Sequence, residues 1–264
     1  MKTYAMILLM FILMSTTTVL NAQTATPSPT LTPGPVHIVE IAAPESATMT
    51  DLDAARDIIE SRLRQASITL QDITITEANT IQVEYVGDET MGYELVSRAG
   101  YLEVIDMTSF TLSLRAQYLG VPVLTRARRD NPLYMNMTLP SADAGIDQPL
   151  GNPFFRGQPF HTRITGEAIA PGETLYSDGI FGIRIVGRDD DARSLLINVT
   201  RLARGGLLGI VLDGTLIAIP YIQGATDYIE VWNLEWDNER DIEIVRILLE
   251  TGPLPFTPQI VRSE

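Results

Sequence analysis

The chain contains no cysteine and only two histidines among its 264 residues. Without cysteine there is no disulfide, no thiolate nucleophile and no cysteine metal site, so packing alone must stabilise the fold. His37 and His161 have no neighbours at metal-ligand spacing, and the sequence contains no nucleophile elbow, metal-binding motif or phosphate-binding loop. We therefore predict a protein that is not an enzyme and that uses no cofactor or metal.

Positive charge is also scarce. Nineteen lysines and arginines stand against 33 aspartates and glutamates, which gives a formal net charge of -14. Nucleic acids and anionic lipid surfaces are bound through lysine and arginine, so this balance argues against both classes of partner. The charge balance carries no information about the fold.

Long apolar runs are missing except near the start, where residues 5–14 follow Lys2. This run, with small residues up to Ala22, has the pattern of a secretory signal, so we predict that residues 1–22 are a signal peptide. Counting the run through Leu20 keeps an uncleaved membrane anchor open, because a membrane span needs about 20 residues. We expect an exported protein, secreted or held at the outer face of the cell membrane, that meets the membrane only through this segment.

Residues 23–36 are rich in threonine, serine and proline. This composition cannot bury enough apolar surface to fold and favours an extended, polyproline-like chain. We predict a linker that tethers the folded part to the export signal.

Periodic patterns resume in residues 37–108. Apolar residues at helical spacing predict a helix over residues 51–66, with Thr50 and Asp53 as its capping box. The remaining patterns predict strands over residues 37–41, 72–77, 80–86 and 101–107, and a second helix over residues 89–98. This β-α-β-β-α-β order is typical of a ferredoxin-like subdomain, in which two helices cover one face of an antiparallel sheet.

Residues 109–178 lose this periodicity and contain seven of the sixteen prolines, so we predict an irregular insertion with short strands. Regular patterns return in residues 179–258, which we predict to be a second α+β subdomain, followed by a tail at 259–264. Its predicted elements are strands over 181–186 and 228–233, a hairpin, and helices over 190–203 and 238–251. The helix over 190–203 is expected to bury Ala192, Leu195, Leu196, Val199, Leu202 and Ala203. The expected fold class is therefore α+β, with ferredoxin-like antiparallel sheets and helices on one face.

The hairpin is centred on Asp213 and Gly214, between apolar runs at 207–212 and 215–220. An Asp-Gly pair suits a type I′ turn, whose twist matches that of paired strands. We interpret Asp213 as a structural turn residue rather than a catalytic carboxylate, because aspartate tolerates the left-handed backbone. Pro220 has no N–H to donate, which predicts a position at a sheet edge or a bulge.

Aromatic side chains cluster in sequence around the last predicted strand. With Pro220 they form a candidate binding edge that comprises Tyr221, Tyr228, Trp232 and Trp236. Aromatic side chains beside an exposed strand edge suit the capture of extended polypeptide. The alternative is core packing with edge protection, because Ile229 and Val231 alternate with the other side chains of this strand. The sequence leaves both interpretations open.

A family resemblance lies mainly in the second half of the chain. Its residues are Thr200, Gly205, Ile210-Val211-Leu212-Asp213-Gly214, Pro220, Ile222 and the closing Gly252-Pro253-Leu254-Pro255. Upstream, residues 58–63, 81–84 and 102–103 are similar to the family's arginine-rich helix, Val-Val-Glu strand and Leu-Glu-Phe strand. These segments resemble the periplasmic domain of SecD, the accessory subunit of the bacterial Sec protein-export machinery.

The resemblance implies a role in protein export, with polypeptide or Sec translocon subunits as partners. The chain departs from the family because no membrane span follows the amino terminus, so the proton-coupled transmembrane bundle is missing. Ala203 also replaces the family's usual asparagine, and Ala218-Ile219 stands where Ser-Ala is typical. We therefore expect an exported, stand-alone SecD-like periplasmic domain that binds polypeptide or a Sec partner. The alternative is a cell-surface interaction or structural domain that keeps the fold without a transport role.

Overall fold

The computed structural model of the protein describes residues 34–76, 79–111, 118–130, 151, 157–232, 236 and 238–263. Its helices are α1 (Met49–Gln65), α2 (Glu89–Ser97), α3 (Arg126–Asp130), α4 (Asp190–Leu202) and α5 (Glu239–Thr251). Its strands are β1 (Val36–Ala42), β2 (Thr69–Ile75), β3 (Thr80–Val86), β4 (Leu102–Asp106), β5 (Thr162–Thr165), β6 (Ile169–Ser177), β7 (Ile180–Gly187), β8 (Leu208–Leu212), β9 (Thr215–Ala218), β10 (Tyr228–Trp232) and β11 (Gln259–Ser263). The predicted signal peptide and nearly all of the predicted linker lie outside the described residues.

The α+β class is confirmed, and the predicted β-α-β-β-α-β order is present from β1 to β4. The capping box of α1 was placed two residues too late. The Thr48 side chain caps the helix by accepting a hydrogen bond from Asp51 N, and Asp51 Oδ2 accepts a hydrogen bond from Thr48 N at 2.8 Å. These hydrogen bonds from Thr48 hold the pKa of the Asp51 carboxyl below its usual value. The helix therefore begins earlier than predicted.

The fourth strand does not join the sheet of the first three. The first sheet has the order β11-β1-β3-β2, whereas β4 lies in a second sheet with the order β5-β4-β8-β9. Residues 102–106 of β4 pair antiparallel with 208–212 of β8, which belongs to the predicted second subdomain. The two predicted subdomains therefore build this sheet together, and a boundary at residue 108 stays a prediction. The last residues, expected as a tail, form β11 at the edge of the first sheet.

The third sheet has three strands in the order β10-β7-β6. Part of it comes from residues 109–178, the predicted irregular insertion. There, β5 joins the second sheet, and seven of the nine residues of β6 pair with β7. Because β6 is a long, half-exposed strand that contains Pro171 and a register shift, its sequence lacks the alternation that identifies a strand.

Helix α4 is amphipathic as predicted, but its buried face is narrower. Ala192, Leu196 and Val199 are buried, whereas Leu195 is 41% and Leu202 71% exposed. Asp189 caps the helix by accepting a hydrogen bond from Ala192 N at 2.7 Å. The acidic residues at this helix start thus stabilise the helix terminus.

The main apolar core lies between the helices and all three sheets, and a second cluster covers the opposite face of the second sheet. This arrangement buries every residue of β8. Among residues 34–263, apart from the gaps given above, no helix combines the length and apolar character that a membrane span requires.

Candidate functional site on the three-stranded sheet

The three-stranded sheet has one buried face and one outer face. Helix α4 packs against β7 and β10, helix α5 packs against β6 and β7, and the side chains between them are buried: Ile183, Ile185, Ile229 and Val231. Successive side chains of a strand point to opposite faces, so the alternate residues form the outer face: Gly182, Arg184, Tyr228, Glu230 and Trp232. The alternation predicted for Tyr228 to Trp232 is therefore present.

Arg184 lies at the centre of this outer face. Its guanidinium bonds the Glu230 carboxylate at 2.8 Å and the Glu173 carboxylate at 2.9 Å, so it joins all three strands. The same guanidinium lies 4.5 Å from the ring centre of Tyr228, a cation–π distance. The hydrogen bond to Glu230 raises the pKa of Arg184. One cation therefore lies among two carboxylates and an aromatic ring.

Trp232 lies against the bare backbone of β7. Its cross-strand partner is Gly182, where a β-carbon would stand only 2.8 Å from Trp232 Cε3. Leu175 of β6 pairs with the same glycine from the other side. Only glycine leaves room for the indole here, so Gly182 sets the position of the aromatic ring.

The two edges of this sheet differ. β6 contains Pro171 and a register shift between Pro171 and Thr174, features that protect an edge from pairing. β10 pairs with β7 in unbroken register from Tyr228 to Trp232, and β7 is its only strand neighbour within the described residues. Within the described residues, the β10 edge is therefore the more regular of the two edges of the sheet.

The structure divides the predicted binding edge into three places. Tyr228 and Trp232 lie together on the outer face, but Trp236 is 8% exposed and belongs to the main core. Tyr221, 47% exposed, forms a bridge with Leu207 beside the second sheet. Next to it the Pro220 carbonyl accepts a hydrogen bond from Leu208 N at 3.2 Å. These four aromatic residues are close together in sequence, but they do not share one surface in the fold.

Sequence reasoning missed Arg184, Glu173 and Gly182, which complete the outer face with Tyr228 and Trp232. A signal for Arg184 was present, because it interrupts an apolar strand at an alternate position between Ile183 and Ile185. Glu173 gave no such signal, since its place opposite Arg184 depends on the irregular register of β6.

Asp213 and Gly214 form the turn between β8 and β9, with φ angles of 50° and 86°. Asp213 also has a second role, because its Oδ1 accepts a hydrogen bond from Tyr101 N at 2.8 Å and its own N–H donates to the Tyr101 carbonyl at 3.0 Å. A β-carbon on Gly214 would stand 1.5 Å from Arg128 Nη1. The turn thus also contacts the Arg128 side chain and the segment that leads into β4.

A fully buried carboxylate, Glu103, lies near this turn. It accepts hydrogen bonds from the hydroxyls of Thr125 at 2.9 Å and Thr162 at 2.8 Å. Burial raises the pKa of Glu103, although these two hydrogen bonds and the charge of Arg128 oppose the shift. Burial likewise lowers the pKa of Arg128. These groups connect the segment around α3 to the second sheet.

The two histidines lie in different environments. His37 lines a cavity of about 230 Å³ with Tyr85 and Tyr93, and its ring centre lies 5.4 Å from that of Tyr85. The His161 carbonyl accepts a hydrogen bond from Asp106 N at 2.9 Å. Within the described part of the chain, carboxylates and histidines form no group of three that would bind a metal ion.

No protein-family model matches the sequence, and no curated protein matches it. Solved structures do match. A crystal structure of SecDF in a super-membrane-facing form aligns over 86% of this chain, with a TM-score of 0.62 and 21% identity. The chain has the fold of that part of SecDF. A second SecDF structure, of a membrane component that enhances protein export, aligns over 85% of the chain with a TM-score of 0.59 and 20% identity.

The chain spans 30% of the length of the first SecDF chain and 98% of the second. At about one-fifth identity, the likeness shows the fold alone. The resemblance to SecD found in the sequence is therefore confirmed at the level of fold, and the roles of individual residues are not carried over by it.

Proposed function

We propose that this protein is an exported domain that takes part in protein export, and that it binds polypeptide in extended conformation at the β10 edge. The observation that carries the proposal is the combination of a regular edge strand with an aromatic outer face. The fold is shared with SecDF, a membrane component described as enhancing protein export, and this likeness supports a role of the binding in protein export. The proposed location is the outer face of the cell membrane or the space beyond it.

Strand addition explains why an export domain would present such an edge. Main-chain hydrogen bonds to an edge strand bind an extended chain without regard to its exact sequence, and alternate side chains adjust the affinity. An unfolded polypeptide emerging from a translocon exposes its main chain in this way. Tyr228 and Trp232 would then contact every second side chain of the added strand on the outer face.

Photo-crosslinking in intact cells tests this proposal. A photoreactive amino acid replaces Trp232, and matched variants carry it at Tyr221 and at exposed Met49 on α1. We expect adducts with secretory precursors or Sec subunits from position 232, and few from position 49. Adducts absent from position 232, or equal at all three positions, would instead favour a structural surface domain without a transport role.

A further inference from the structure

The outer face is negatively charged around its centre. Glu173 and Glu230 together carry two negative charges, and Arg184 between them carries one positive charge. Asp227, exposed directly before β10, is a further carboxylate near the same strand. The whole chain has a formal net charge of -14. A strand added at β10 therefore meets a local excess of negative charge.

Strand geometry decides which side chain of an added strand meets this charge. A residue directly opposite Glu230 places its side chain on the outer face, with β-carbons about 5 Å apart. The residues two positions before and after it face Tyr228 and Trp232. A lysine or arginine opposite Glu230 would pair with the carboxylate and lie between two aromatic rings. A glutamate there would be repelled.

The same argument disfavours a second copy of this chain on the edge. Antiparallel pairing of β10 with itself, five residues against five, places Glu230 directly opposite Glu230. Like charges directly opposite each other destabilise a strand pair. The charge on this face thus favours a foreign, basic segment over self-association.

We propose that the β10 edge selects extended segments in which a lysine or arginine is flanked, two residues away on each side, by a large apolar or aromatic side chain. This inference rests on the proposed function, since it specifies which polypeptides the same edge prefers. Glu230 is the residue that sets the charge preference, and Tyr228 and Trp232 favour the flanking apolar side chains.

Three labelled peptides test the inference. The first is Thr-Val-Thr-Lys-Thr-Val-Thr, and the others have glutamate or glutamine in place of lysine. Their binding to the purified full chain is measured by fluorescence anisotropy at low and at high salt. We expect the lysine peptide to bind at least about fivefold more tightly than the glutamate peptide at low salt. Salt should reduce this ratio, because the interacting charges are solvent-exposed.

The E230Q variant provides the control for the site. It removes the charge while keeping a hydrogen-bonding side chain beside Arg184, and circular dichroism checks that it is folded. The lysine preference should fall to less than half of its wild-type ratio. An unchanged ratio would place the preference elsewhere, for example at β11, where Ile260 and Val261 are exposed.

The two proposals fail in different ways. If all three peptides bind equally, the charge preference is wrong while polypeptide binding stands. If none binds and position 232 gives no adducts in cells, the proposed function itself is wrong. A dimer through β10, detected by sedimentation and abolished by E230K, would contradict the argument against self-pairing.

Discussion

Arg62 is the largest fully buried side chain of the described residues, with 0% exposure. Its guanidinium donates to four backbone carbonyls, those of Leu95, Arg98, Ala99 and Gly252, at 2.6 to 3.0 Å. Its Nε also donates to the Thr251 hydroxyl at 3.3 Å. These acceptors lie at the carboxyl ends of α2 and α5, where helix dipoles favour a cation. One residue of α1 therefore joins the ends of two other helices.

Replacing this side chain should destabilise the protein strongly. We expect R62M to lower the free energy of unfolding by about 3 kcal/mol or more, because buried carbonyls lose their donor. Urea unfolding followed by circular dichroism measures the change. Arg64 on the same helix is exposed, and R64M should cost less than about 0.5 kcal/mol. Equal effects of the two substitutions would contradict this account of Arg62.

The buried Glu103 makes stability depend on pH. Its pKa is raised in the folded protein by burial, so the folded state binds the proton more tightly than the unfolded chain. The protonated form thus contributes stability that is fully present below the unfolded pKa of about 4.3 and is lost as pH rises through the folded pKa. The carboxylate form is the less favourable one in this site.

The E103Q variant should remove this dependence. Urea unfolding of wild type and variant between pH 4.5 and 8 gives the difference in their free energies of unfolding. We expect wild type to lose stability relative to E103Q as pH rises. A difference that grows in favour of wild type at high pH would mean that Arg128 outweighs burial at this site.

At the scale of elements, the hairpin of β8 and β9 depends on glycine for two reasons. Gly214 has a positive φ, and the Arg128 guanidinium fills the space where its β-carbon would be. Gly205 shares the positive φ of 76° but has open space around it. We expect G205A to cost about 1 kcal/mol from backbone strain, and G214A about 2 to 4 kcal/mol. Thermal unfolding of both variants tests this, and equal losses would show that Arg128 is free to move aside.

Helix α4 offers a second test between two identical side chains. Leu196 is buried and Leu202 is 71% exposed, although helical spacing alone placed both on the core face. We expect L196A to cost about 2 to 4 kcal/mol and L202A less than about 0.5 kcal/mol in urea unfolding. Comparable losses would mean that the end of this helix packs against the core.

The sequence predicted most elements well because their signals are local. The Asp-Gly turn, for example, depends on neighbouring residues alone. Local signals fail where the position of a strand or a side chain depends on a partner that is distant in sequence. The placement of β4 beside β8 is not encoded in a local pattern, because a strand buried on both faces shows no alternation. The burial of Arg62 could not be predicted for the same reason. Arginine is usually exposed, and this side chain is buried because its hydrogen-bond partners are distant in sequence.

The candidate site shows the same division. The alternation of β10 predicted that Tyr228 and Trp232 share a face, and that face is present. Its centre, Arg184 with Glu173, required the pairing of β6 and β7 and was not predicted. Trp236 was assigned to the edge on proximity in sequence, although the fold buries it.

At the scale of the whole molecule, the second sheet and Arg62 connect residues from both halves of the chain. β4 and β8 are separated by about one hundred residues yet pair along their full length. Because the second sheet, Arg62 and the main core connect the two halves, the β10 edge itself is not needed to hold the fold together. The proposed binding at that edge would therefore require no rearrangement of the core.

Hydrogen–deuterium exchange of the intact protein tests strand addition most directly. Exchange of the β10 amides is compared with and without saturating Thr-Val-Thr-Lys-Thr-Val-Thr peptide, with β11 as the internal control. New main-chain hydrogen bonds should slow exchange in residues 228–232 and leave residues 259–263 unchanged. Slower exchange only in β11, or no change in either strand while the peptide is bound, would contradict binding at the β10 edge.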